Sequence, residues 1–188
     1  MNHIDIASLK IPGVNNTEFL VTREEGTFIR DFIIQYLKQI PENSCLFLDF
    51  KGVKFIDLSG ADEIVAILAS RIKSKEFGRR YVCLINTTEQ HIYNIDKALK
   101  DKKLSVVVYE KGTFYPIGDI NTYLRGTFDF VSKRKRATAR EMADELGIPI
   151  NTASTRLLNL FNEGLVIREE DVTDKGNKQF VYSTFKLN

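Results

Sequence analysis

Cysteine and histidine are scarce in this chain, with two of each among 188 residues. Cys45, Cys83, His3 and His91 do not supply the spacing of a zinc site, and two distant cysteines make no disulfide framework. Both cysteines fall in runs that read as buried strands, so they are expected to be reduced core thiols of a cytoplasmic protein. A long apolar run is also missing, which excludes a membrane-spanning helix. The opening residues, MNHIDIASLKIPG, lack the basic segment and apolar core of a signal peptide. No glycine-rich phosphate loop is found. Charge of one sign is not in excess either: the net charge is +2, too small to announce a nucleic-acid partner by itself. What is present is 43% hydrophobic and 28% charged residues, enough for one large domain or two small ones.

The stretch Leu46 to Ile72, LFLDFKGVKFIDLSGADEIVAILASRI, organises the first two thirds of the chain. Cys45, Leu46, Phe47, Leu48 and Phe50 are apolar with only Asp49 between them, the pattern of a strand buried on both faces. Gly52 permits a turn, and Val53, Phe55 and Ile56 return to the core. Ala61, Ile64, Val65, Leu68 and Ile72 then recur at helical spacing. Ser59 and Asp62 stand at the S-x-x-[DE] spacing of a capped helix start.

These residues resemble the STAS domain of anti-sigma-factor antagonists and sulfate-transporter tails. DFKGV and SGADEI are closer still to a STAS-like family of bacterial regulators. The resemblance spans about residues 15 to 115. It implies a domain for sensing or protein interaction. In the antagonists a phosphorylatable Ser or Thr directly follows the loop aspartate. Here Asp57 is followed by Leu58, and Ser59 carries the hydroxyl one place later. Asp57, Leu58 and Ser59 are therefore candidates for a partner contact or phospho-switch, with Ser59 as a simple helix cap the alternative.

Around this unit, residues 2–11 and 18–22 read as strands, and residues 24–40 as an amphipathic helix ended by Pro41. Residues 80–86, 104–109 and 113–117 read as further strands. A helix from Thr87 or Thr88 to Lys100 lies between the first two. Alternating strands and helices predict an α/β fold with parallel central strands over residues 1–118, and the STAS resemblance implies a mixed sheet. Residues 116–121 form a polar break. Beyond it, helices are expected over residues 120–132, from Thr138 with Met142 and Leu146 inward, and over 151–163 with Ala153, Leu157 and Leu160 inward. A hairpin of residues 166–173 and 179–187 follows.

The string TAREMADELGIPINTASTRLLNLFNEGLVIRE is similar to the winged helix-turn-helix domains of MarR- and ArsR-type repressors. This resemblance covers about residues 121 to 187 and implies a small α+β domain, 119–188, that binds double-stranded DNA, as part of a homodimer. The start of the third helix would reach base edges, which singles out Asn151, Thr152, Ser154, Thr155 and Arg156. Lys175, Asn177 and Lys178 at the hairpin tip, and Lys133, Arg134, Lys135 and Arg136 before the second helix, would approach phosphates. Residues 126–188 hold ten basic and nine acidic residues, a weak balance for a DNA-binding domain. Two readings therefore stand: a DNA-binding transcriptional regulator, or a partner-switching adaptor whose two domains both bind proteins. Catalysis is not expected. Asp49, Asp57, Asp62 and Glu63 have no histidine in their stretch, and Ser59 has no base at hand. No metal, cofactor or membrane contact is expected.

Overall fold

The computed structural model describes residues 2–172, 176 and 178–187. Its centre is a five-stranded mixed sheet of β1 (His3–Asp5), β3 (Cys45–Asp49), β5 (Tyr81–Ile85), β6 (Ser105–Glu110) and β7 (Thr113–Gly118). They lie in the order β1-β3-β5-β6-β7. The first four run parallel and β7 runs antiparallel to β6. Every residue of β3 and β5 is buried, as their unbroken apolar runs require when both faces are covered. Pro116 sits in β7, an edge strand, where its missing N–H leaves no central ladder incomplete. Beside this sheet, β2 (Phe19–Leu20) pairs in parallel with β4 (Phe55–Ile56).

One face of the sheet is covered by α1 (Arg23–Gln39) and α4 (Glu89–Asp101), together with a continuous helical run between them. That run comprises α2 (Leu58–Ala61), a π-helical stretch (Asp62–Ala66) and α3 (Ile67–Lys73). The Thr22 hydroxyl caps α1 by accepting the Glu25 amide, and Thr88 caps α4 in a capping box closed by His91. Ile29, Ile33 and Leu37 of α1 then reach the core that also holds Leu46, Leu48 and Phe50. Gly26 lets α1 approach the π-helical stretch: a Cβ there would stand 2.9 Å from the Glu63 Cβ.

The opposite face is covered by the rest of the chain: α5 (Thr122–Arg134), β8 (Arg136–Thr138), α6 (Ala139–Leu146), α7 (Ile150–Asn162), β9 (Ile167–Val172) and β10 (Lys178–Ser183). The three strands form a small antiparallel sheet in the order β8-β10-β9. Its core is continuous with the back of the large sheet, joining Cys45, Phe47, Tyr81, Cys83 and Val107 to Phe128, Leu157, Phe161 and Phe185. Tyr81 and Phe185 meet with ring centroids 5.4 Å apart. At one margin the Lys73 ammonium pairs with Glu163 at 2.7 Å. Of the polar break expected at residues 116–121, the first three residues belong to β7, and hydrophobic packing runs across the short remainder.

Several sequence expectations are corrected. The strand expected over residues 2–11 is confined to His3–Asp5, since the chain turns at Ser8, whose hydroxyl and amide bond Asp5. Leu146 is 45% exposed rather than inward. Helix α6 lasts only two turns, Met142 and Ala143 fill its buried face, and Gly147 in the left-handed region ends it there. Strand β8 was not foreseen; three residues have no readable period, and only pairing with β10 makes them a strand. No helix among the described residues is long and apolar enough to cross a membrane.

Candidate functional site

Helix α7 begins directly after Pro149, which stands at the N-cap position and offers no side-chain cap. Ala153, Leu157 and Leu160 are wholly buried, which turns the opposite face outward and leaves Asn151, Ser154, Thr155 and the apolar Leu158 exposed. The Thr155 hydroxyl is spent on its own helix, donating to the Asn151 carbonyl at 2.8 Å. Thr152 and Arg156 are half-buried on the flanks. The Arg156 guanidinium lies 5.8 Å from the centre of the Tyr123 ring on α5, a cation–π distance. An open groove of about 680 Å³ runs between the start of α7 and β10, bringing Asn151 and Ser154 together with Arg140, Lys178 and Phe180.

The basic residues expected at phosphates have divided fates. Arg134 pairs with Glu145, Arg136 with Asp171, and Lys178 with Glu170. Lys133 lies in the last turn of α5, Lys135 caps it in the left-handed region, and both border a different groove, away from the α7 start. Lys175 and Asn177 lie outside the described residues.

At the second candidate site the expected cap is displaced. Asp57, in extended backbone, caps α2 by accepting the Gly60 amide at 2.7 Å, while Ser59 lies inside the helix. Gly60 is required here, because a Cβ would collide with the Leu20 carbonyl oxygen. Leu58 is 37% exposed and Ser59 half-buried, so the loop presents an apolar side chain beside a hydroxyl.

The clustered carboxylates of this region are committed to structural partners. Asp62 meets Arg23 and Lys102, both at 3.1 Å, and Glu63 meets Arg30 at 2.7 Å and Arg23 at 3.0 Å. Asp49 accepts from Asn86 Nδ2 at 2.7 Å, the Lys51 amide at 2.8 Å and His3 Nε2 at 2.9 Å. Burial opposes its charge, but these bonds outweigh burial and hold the carboxyl below its usual value. His91 is wholly buried and accepts the Thr88 amide at Nδ1, and burial pushes its imidazole down. Burial likewise pushes both cysteine thiols up, which leaves them inert as nucleophiles. Sequence reading missed the His3–Asp49–Asn86 cluster; the three residues lie in separate segments and only strand pairing joins them. Among the described residues no group of three or more His, Cys, Asp and Glu could hold a metal ion. No family model matches this chain, and no curated protein matches it.

Proposed function

We propose that this chain is a DNA-binding transcriptional regulator. In this reading residues 119–188 form a winged helix-turn-helix and residues 1–118 a STAS-like domain that receives a protein or small-molecule signal. The supporting observation is the outward face of α7, where Asn151 and Ser154 project into an open groove with Arg140 and Lys178 at its sides. A helix of this kind fits the major groove, and small polar side chains near its start suit contact with base edges. Signals from the first domain would reach the reading helix through the shared core, without a flexible hinge.

A second reading is favoured by one observation: Arg134, Arg136 and Lys178 are already paired with carboxylates. Paired cations release fewer counterions, which suits an adaptor that binds proteins through both halves and uses Leu58 as a contact. Duplex binding measured across a salt series separates the two. A regulator should bind duplexes at about 50 mM salt, with affinity falling linearly in log[salt]. Asn151→Ala with Ser154→Ala should then lower affinity for a selected sequence more than for random DNA. Absence of duplex binding at low salt would leave the adaptor.

A further inference from the structure

A second groove, of about 550 Å³, opens where three segments meet: the β6–β7 turn, the end of α5, and residues 184–187 after β10. Its size falls within the range of about 300–1,000 Å³ usual for small-molecule sites. Tyr109, Phe114 and Phe185 line it. Tyr109 and Phe114 are tilted with centroids 4.7 Å apart, and Phe114 meets Phe185 edge-on at 6.3 Å. Tyr109 and Phe114 keep part of their surface open to solvent. Lys133, Lys135 and Lys186 border the same groove, and all three are exposed. Among the described residues none of these lysines is in an ion pair, whereas the neighbouring Lys111 is held by Glu110 at 3.3 Å. Complementarity with the helix dipole explains a lysine at the end of α5. It does not explain Lys186, which comes from another segment.

We propose that this groove binds a small anion with a flat aromatic body. The aromatic side chains offer an offset or edge-on contact to a planar ring. The lysines stand on its margin, where a carboxylate or phosphate attached to that ring would sit. An aryl acid and a mononucleotide share this chemistry. Because the lining comes from both halves of the chain, an occupant would bridge the large sheet and the unit packed on its back. The site is independent of DNA binding, and its test reads the ligand directly.

The experiment is a calorimetric titration of the full chain with 2-naphthoate, neutral 2-naphthamide and adenosine monophosphate. Amide chemical shifts follow in parallel. The acid should bind at least about tenfold more tightly than the amide, and added salt should weaken it, as expected of partly exposed charges. The variant Lys133→Gln/Lys135→Asn/Lys186→Gln should lose about tenfold in affinity while its unfolding midpoint falls by no more than about 4 °C, the loss of one helix-end charge, since asparagine tolerates the left-handed backbone at position 135. Shifts should concentrate at Thr113, Phe114 and residues 184–187. Displacement of naphthoate by the nucleotide would identify a nucleotide site, and no displacement an aryl-acid site. Wild-type protein that binds neither anion, acid and amide binding alike, or undiminished affinity in the triple variant would each overturn the proposal.

Discussion

The guanidinium of Arg79 sits 3.9 Å from the centre of the Phe161 ring. Arg79 lies two residues before the central strand β5, and Phe161 stands in the last turn of α7. The same ring also meets Arg168 at 4.3 Å. One aromatic side chain thus ties the large sheet to the unit on its back.

The first prediction follows from that contact. Phe161→Ala should cost about 3–5 kcal/mol, the usual range for a buried aromatic. Because Phe161 belongs to the core that contains Cys45 and Cys83, the loss should lower the stability of the whole chain. Urea unfolding followed by circular dichroism and by labelling of the two thiols should give coincident transitions. An early transition that leaves both thiols protected would show that the halves unfold separately.

The helix start at residue 58 yields a ranking. Asp57→Ala removes the cap and should cost about 0.5–2 kcal/mol. Ser59→Ala should cost distinctly less, because its hydroxyl caps nothing. Ser59→Asp should be close to neutral for stability, since a negative charge in the first turn suits the dipole. Denaturation midpoints for the three variants check the ranking, and a larger loss in Ser59→Ala than in Asp57→Ala would contradict it.

Asp49 predicts a pH dependence. Its carboxyl is held below the usual value in the folded chain, so the unfolded chain takes up a proton first as pH falls. The stabilisation is therefore complete above the unfolded value of about 4 and fades as pH drops through the lower folded value. Asp49→Asn should lower stability at neutral pH by roughly 1.5–3 kcal/mol, the range for bonds to a charged group. It should also flatten the acid limb of a stability–pH curve. An acid limb of unchanged slope would assign the dependence to other groups.

Arg156 separates base reading from packing. Its guanidinium beside Tyr123 is half-buried and worth about 0.5–2 kcal/mol, which Arg156→Lys should largely preserve. If the fork reads a guanine, the same substitution should cost up to about 1–3 kcal/mol at the preferred sequence and little on random DNA. Equal losses on both would make Arg156 a phosphate contact, and no loss would make it a packing residue.

Local patterning by itself placed three long helices and the buried strands, because burial of one stripe or of two faces leaves its mark in the apolar pattern. The helices read at 24–40, from Thr87 or Thr88 to Lys100, and at 151–163 differ from the observed 23–39, 89–101 and 150–162 by only one or two residues at each end. It also determined the inward set Ala153, Leu157 and Leu160. Other features answered to partners distant in sequence. Asp57 and Ser59 each satisfy a capping rule, and the choice fell to Asp57, whose amide bonds the Leu20 carbonyl as β2 and β4 pair. Continuous apolar strands require cover on both faces, yet their residues do not say that the cover is the last third of the chain. The basic run at 133–136 looks uniform in sequence. Glu145 and Asp171 occupy two of its cations, while Lys133 and Lys135 border an aromatic groove shared with Lys186. Charge is legible residue by residue; which charges remain unpaired is decided only when the folded backbone brings distant carboxylates within reach.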